Sequence, residues 1–122
     1  MSFFKKMNWL KLENPSDLDR LIENSFSESI SAVAIFKHST RCVISSMVKT
    51  RLVGAWNFQD ELPIYYLDLI QFRALSNQIA DELSVEHQSP QLLLIKNGKC
   101  IYHTSHNGIS VSEIKQTLKQ EA

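Results

Sequence analysis

A chain of 122 residues with 13 basic and 13 acidic side chains has no formal net charge, and its charges are scattered, not blocked. Attraction to nucleic acid or to an anionic membrane therefore has no electrostatic support, and no apolar run approaches the roughly 20 residues that cross a bilayer. At this length one domain, residues 1–122, is expected, large enough to hide about two thirds of its unfolded surface without disulfide staples. The opening MSFFKKMN has two lysines but no apolar stretch after them, so no export signal is expected. The expected compartment is the cytoplasm, where Cys42 and Cys100 stay reduced.

No repeat, low-complexity tract or linker interrupts the chain. Asn8 to Leu12 reads as a short strand, then Asn14-Pro15 as a cap and first-turn pair, and Leu18, Leu21, Ile22 and Phe26 follow at helical spacing. Residues 32–37, AVAIFK, form a run of strand length, after which Ile44, Met47, Val48, Leu52 and Ala55 return to the helical period. PIYYLDLI, Pro63 to Ile70, is rich in aromatic and branched side chains, and Phe72, Leu75, Ile79 and Leu83 then share one helical face. After Pro90, QLLLIK and KCIYHT flank Asn97-Gly98, a two-residue hairpin signal. Val111, Ile114 and Leu118 close the chain as a helix. The predicted order is β-α-β-α-β-α-β-β-α: an α/β fold, a central mixed β-sheet with helices on both faces. Trp9, Trp56 and Tyr65 read as core.

Cys42 stands where the second strand passes through a polar loop into the second helix. A thiolate is the nucleophile of thiol exchange, and a free cysteine, with a pKa of about 8.5, is mostly protonated at neutral pH. Unpaired backbone N–H groups and the helix macrodipole favour negative charge at a helix start. Ser45, three positions on, can offer its N–H and hydroxyl, and Lys37, His38 and Arg41 add positive character wherever they face the sulfur.

The element order is that of the thioredoxin fold, which sets a reactive cysteine at the start of the helix after the second strand. Opposite it, at the start of the strand after the third helix, that fold has a cis-proline; Cys42 and Ser89-Pro90 occupy those two places. FKHSTRCVIS, Phe36 to Ser45, together with VEHQSPQLLLIKNGK, Val85 to Lys99, resembles the monothiol bacilliredoxin branch of this superfamily, and the similarity spans nearly the whole chain. The family's loop reads His-Ser-Thr-x-Cys-Pro-Ile-Ser, and His38, Ser39, Thr40, Cys42, Ile44 and Ser45 match it one by one. Val43 departs from it: valine in place of proline keeps one more backbone N–H in the first turn and bears on redox potential. The resemblance implies exchange of bacillithiol on and off protein cysteines, with bacillithiol as co-substrate, bacillithiolated proteins as clients and no bound cofactor. It implies Cys42 and Ser45 as catalytic positions, with His38, Ser39, Thr40, Arg41, Ser89 and Pro90 about the substrate.

In a Cys-x-x-Cys site the second thiol expels the substrate from the mixed disulfide, a step closed to Cys-Val-Ile-Ser because a hydroxyl does not resolve a disulfide. The expected mechanism is monothiol. Cys100 is no substitute, because the strand from Pro90 to the Asn97-Gly98 turn carries it on the order of 20 Å away, far beyond the roughly 7 Å Cα limit of a disulfide. It is expected opposite Ile95, on a face shared with Leu93 and Tyr102. Cys100, His103 and His106 have a metal-like spacing, but positions 100 and 103 are expected on opposite faces of an extended strand, so no metal is expected. His38 is expected as an exposed loop histidine and His87 along the same groove. A cis-proline at Pro90 exposes the backbone of Ser89, to which a substrate can pair by strand addition. Two alternatives stand beside this reading: a glutathione-using monothiol glutaredoxin-like protein, although the loop lacks Cys-Gly-Phe-Ser, and a redox-inert thioredoxin-fold interaction module.

Overall fold

Along the strand Val33–His38, Val33, Ile35 and Lys37 face one way and Ala34, Phe36 and His38 the other, so each side needs its own cover. A computed structural model, which describes residues 7–121, shows that cover; the opening six residues, part of the export-signal reading, lie outside it. The strands are β1 (Trp9–Lys11), β2 (Val33–His38), β3 (Ile64–Asp68), β4 (Gln91–Lys96) and β5 (Lys99–Ser105). They form one sheet in the order β1-β3-β2-β4-β5, with β1, β3 and β2 parallel and β4 antiparallel to both β2 and β5. The helices are α1 (Pro15–Asn24), α2 (Val43–Ala55), α3 (Arg73–Leu83) and α4 (Val111–Glu121). None of the helices described is long and apolar enough to cross a membrane.

One face of the sheet packs Ala34, Phe36, Ile64, Leu92 and Leu94 against Val48, Leu52 and Trp56 at α2 and Ile114 of α4. The other packs Val33, Ile35, Leu67, Leu93 and Ile95 against Leu18 and Leu21 of α1 and Leu75 and Ile79 of α3. The expected order of elements holds, and the expected bounds hold to within one or two residues. Trp56 is fully buried, with its Nε1–H donating to the Leu62 carbonyl at 3.3 Å; Trp9 and Tyr65 are half-buried against the two cores. Asn14 caps α1 as expected, its Oδ1 accepting the Asp17 N–H at 2.9 Å, with Pro15 in the first turn.

Three expectations shift. Phe26 lies beyond the end of α1 and is largely exposed; its ring lies 3.0 Å from where a Cβ on Gly98 would stand. Gly98 has φ 76° and follows Asn97 at φ 52°, so both the turn's left-handed backbone and the ring above it favour glycine. In α2 only Val48 and Leu52 of the expected apolar set are buried, while Ile44, Met47 and Ala55 face outward. The buried stripe instead begins with Ser45.

The third shift is a β-bulge. Ile95 pairs with Cys100 as expected, but Leu94 pairs with Tyr102 and Leu93 with His103, so Ile101 is an extra residue in β5. Tyr102 is therefore turned to the α2/α4 side, not onto the face of Cys100 and Leu93. The same bulge puts His103 on the face of Cys100, contrary to simple alternation. Even so, no three His, Cys, Asp or Glu side chains among the described residues are grouped to hold a metal ion.

Candidate active site

The chain leaves β2 at His38, and the loop Ser39–Arg41 turns it so that Cys42 becomes the N-cap of α2. The Cys42 N–H donates to the Ser39 carbonyl at 3.2 Å, closing the loop, and the Cys42 carbonyl accepts the Ser46 N–H at 3.1 Å, opening the helix. Cys42 is extended, φ −107° and ψ 122°, and its side chain makes no capping hydrogen bond. Its thiol is thus half-buried and uncommitted at the positive end of a 13-residue helix.

Ser45 is fully buried one turn on. Its Oγ accepts the Ser39 N–H at 3.0 Å and lies 2.6 Å from His38 Nδ1. The hydroxyl expected to serve the sulfur instead ties the end of β2 to the first turn of α2. His38, expected to be an exposed loop residue, is the last residue of β2 and only 4% exposed, stacked on Phe36 and tilted against Tyr66. Burial lowers its pKa, and the charge of Lys49 lowers it further against the opposing pull of Asp68 and Ser45. The imidazole is therefore neutral at physiological pH and brings no positive charge to the sulfur.

Lys37 differs again. It lies on the α1/α3 side of the sheet, fully buried, with Nζ donating to the Ser76 carbonyl at 3.1 Å and lying 3.4 Å from His87 Nδ1. Burial, followed by repulsion from Arg73, brings its pKa down to about 8. His87, expected along the groove, is committed to this cluster, with Ser76 Oγ 3.2 Å from its Nδ1. Of the three cationic candidates only Arg41 lines the groove beside the thiol. That groove, of about 300 Å³, is formed by Thr40, Arg41, Cys42, Val43, Ser46 and Met47, among others. Val43 and Met47 of this lining are both exposed, so the thiol has apolar side chains in its groove.

The Ser89-Pro90 peptide is cis, as expected. Pro90 leads directly into Gln91, which pairs with Lys37 near the end of β2, while the Pro90 carbonyl accepts the His106 N–H at 3.0 Å. The sequence-predicted residues thus gather at one end of two neighbouring strands: Thr40, Arg41 and Cys42 at the groove, His38, Ser39 and Ser45 bonded behind them, and Ser89 and Pro90 at the head of β4. Sequence reasoning missed the Lys37–Ser76–His87 cluster and Gln91 beside it. The available signal was a lysine at a core-facing position of an otherwise apolar strand.

Cys100 lies at the opposite end, since it and Val33, the first residue of β2, both pair with Ile95. From Val33 to His38 alone, at about 3.3 Å per residue, the separation exceeds the reach of a disulfide. Burial pushes the Cys100 thiol up, only partly offset by contacts with the backbone at Tyr102 and Leu94. Iodoacetamide should therefore modify Cys42 well before Cys100 at neutral pH, and oxidation without small thiols should give no intramolecular bond between them. A peptide map under non-reducing conditions checks both; equal slow labelling, or a Cys42–Cys100 bridge, would contradict the geometry.

Comparison with known proteins bears on the family and the fold. Residues 10–114 match the family described as monothiol bacilliredoxin BrxC. A solved thioredoxin-fold protein given a provisional oxidoreductase role is 31% identical, with TM-score 0.73, over 88% of this chain and 91% of its own. The thioredoxins of Malassezia sympodialis and Fasciola hepatica share the fold at TM-scores of 0.72 and 0.68. The first is 16% identical over 98% of this chain and 96% of its own, the second 17% over 93% and 99%. With its family model matched over residues 10–114 and a thioredoxin-fold neighbour at 31% identity, the chain belongs to the monothiol bacilliredoxin family of thiol redox proteins.

Proposed function

We propose that this protein moves bacillithiol on and off protein cysteines through Cys42 alone. The observation that carries the reading is the first turn of α2, where the thiol of Cys42 is uncommitted and the position of a resolving thiol holds Ser45, buried and tied to His38 and Ser39. The Cys42 thiolate attacks the bacillithiol sulfur of a modified client. The client's sulfur–sulfur bond breaks, a new one forms between bacillithiol and Cys42, and the client thiolate leaves and takes a proton from solvent. No net oxidation occurs. With no second thiol in reach, the adduct stays on Cys42 until another thiol attacks it.

The groove supports the same assignment. Arg41 offers a cation to an anionic small thiol, Thr40 and Ser46 offer hydroxyls, and the exposed Val43 and Met47 offer apolar contact to a client. In this reading bacillithiol is a co-substrate in the cytoplasm, the clients are bacillithiolated proteins, and no bound cofactor takes part. Mass spectrometry of the protein recovered from oxidant-stressed native cells tests it. A bacillithiol adduct on the Cys42 peptide is expected, with Cys100 unmodified. A glutathione adduct would point to a glutaredoxin-like protein, and no adduct to a redox-inert module.

A further inference from the structure

Two adjacent residues of β2 serve opposite sides of the sheet: His38 grips Ser45 at the start of α2, while Lys37 reaches the segment that leads into Ser89-Pro90. We infer that Lys37 and His87 are a positioning pair that fixes the segment Glu86–Pro90 as the edge against which a client chain is held for attack by Cys42. The inference deepens the proposed function and rests on it.

The geometry carries it. Lys37 is fully buried, and among the described residues no carboxylate is paired with it; its contacts are the Ser76 carbonyl and His87 Nδ1. A charged lysine has only donors, so His87 Nδ1 must accept, which places the histidine proton on Nε2. Ser76 Oγ, at 3.2 Å, shares the single lone pair of that nitrogen with the ammonium. The segment is also tied at its start by Gln91, whose Nε2 donates to the Glu86 carbonyl at 2.9 Å, and at its end by the His106 N–H on the Pro90 carbonyl. Gln91 stands directly across the ladder from Lys37, and its buried Oε1 has no hydrogen-bond partner among the described residues.

A site chosen for stability alone would not look like this. An ammonium taken out of water without a counter-charge and an orphaned amide oxygen are both destabilising, and a partly satisfied polar network is worse than an apolar one. Both defects sit together at the end of the sheet where Cys42 emerges. Such local rule-breaking is characteristic of positions kept for function. The charges facing the ammonium are Arg73 from α3, which like burial itself disfavours it, and His87, which is uncharged in this arrangement; β4 contributes the neutral Gln91.

The test is Lys37→Met, which fits the long side chain but removes the charge and the donor. Its expected signature is split. Transfer from a bacillithiolated protein should fall at least ~10-fold, mainly through kcat, because a client misplaced by an ångström reacts far more slowly. Alkylation of Cys42 by iodoacetamide should stay near wild type, and the thermal midpoint should hold or rise. Backbone amide exchange at Glu86, His87, Gln88 and Ser89 should accelerate, while exchange in β2 and β4 should not. His87→Ala should reproduce the kinetic and exchange effects from a half-buried position, should the core variant fail to fold. Unchanged exchange in this segment, or loosening spread evenly over the sheet, would overturn the inference. Because amide exchange needs no bacillithiol, it tests the positioning pair even if the wild-type protein proves to use another thiol.

Discussion

Replacing Cys42 with serine is expected to abolish transfer altogether. Exchange requires an ionised sulfur that can both attack a disulfide and later leave from one, and a serine hydroxyl at neutral pH does neither. The two residues differ little in size, and Cys42 is a half-buried N-cap whose side chain holds no capping bond. Serine is among the preferred N-cap residues, so the variant should fold at least as well as wild type. Loss of activity with a preserved thermal midpoint is therefore the predicted pair of results. Cys100→Ser should show the reverse pattern. It removes a half-buried thiol from the far end of the sheet, packed against the α1/α3 core, and should cost some stability while leaving transfer nearly intact. Parallel assays of thermal midpoint and transfer with one bacillithiolated client check both variants.

Ser45→Cys should change the chemistry itself. It places a second thiol one turn from the first, in the Cys-x-x-Cys spacing, and that thiol can attack Cys42 while Cys42 carries bacillithiol. The bond from bacillithiol to Cys42 breaks, a bond between the two protein sulfurs forms, and bacillithiol leaves as a thiolate. The persistent adduct should disappear, replaced by an internal disulfide that needs an external reductant. His38 sharpens this expectation. Its Nδ1 lies 2.6 Å from the present hydroxyl, so an imidazole whose charged form burial disfavours already stands beside the new thiol. The substitution also has a structural cost. Sulfur is a weaker acceptor than oxygen, and the Ser39 N–H would be left poorly satisfied, which typically costs about 1–3 kcal/mol for a buried donor. Intact-mass measurement after reaction with the client distinguishes adduct from internal disulfide, and an adduct persisting on Ser45→Cys would show that the two positions cannot reach each other.

Much of the fold was legible because its signals are local. Asn14-Pro15, Asn97-Gly98 and the alternation of apolar runs each fix a nearby backbone choice, and all of them reappear in the structure. The bulge at Ile101 was not legible, since it is a matter of how β5 fits β4 and leaves no mark in β5 alone; alternation was therefore carried one residue too far, to Tyr102 and His103. Exposure around the thiol was misjudged for a related reason. Helical spacing showed that Ile44 and Met47 lie on an apolar side of α2, but not that the sheet covers only the part led by Ser45, Val48 and Leu52.

The site divides the same way. Cys42, its place at a helix start and the Ser89-Pro90 segment could be read from order and motif. The partners of the buried polar groups could not, because they come from elements far apart in sequence. Lys37 meets Ser76 and His87, 39 and 50 positions away. His38 was misread for the simpler reason that β2 runs one residue further than its apolar run, which carries the imidazole into the interior with it.

The step on which everything else depends is that Cys42 takes bacillithiol from a client and keeps it. Mixing reduced wild-type protein with an equimolar bacillithiolated client, and following both by intact mass, measures that step alone. The client should lose one bacillithiol as the protein gains one, on Cys42 and in equal amount. A client that stays bacillithiolated, while a glutathionylated version of it is reduced under the same conditions, would contradict the proposed function.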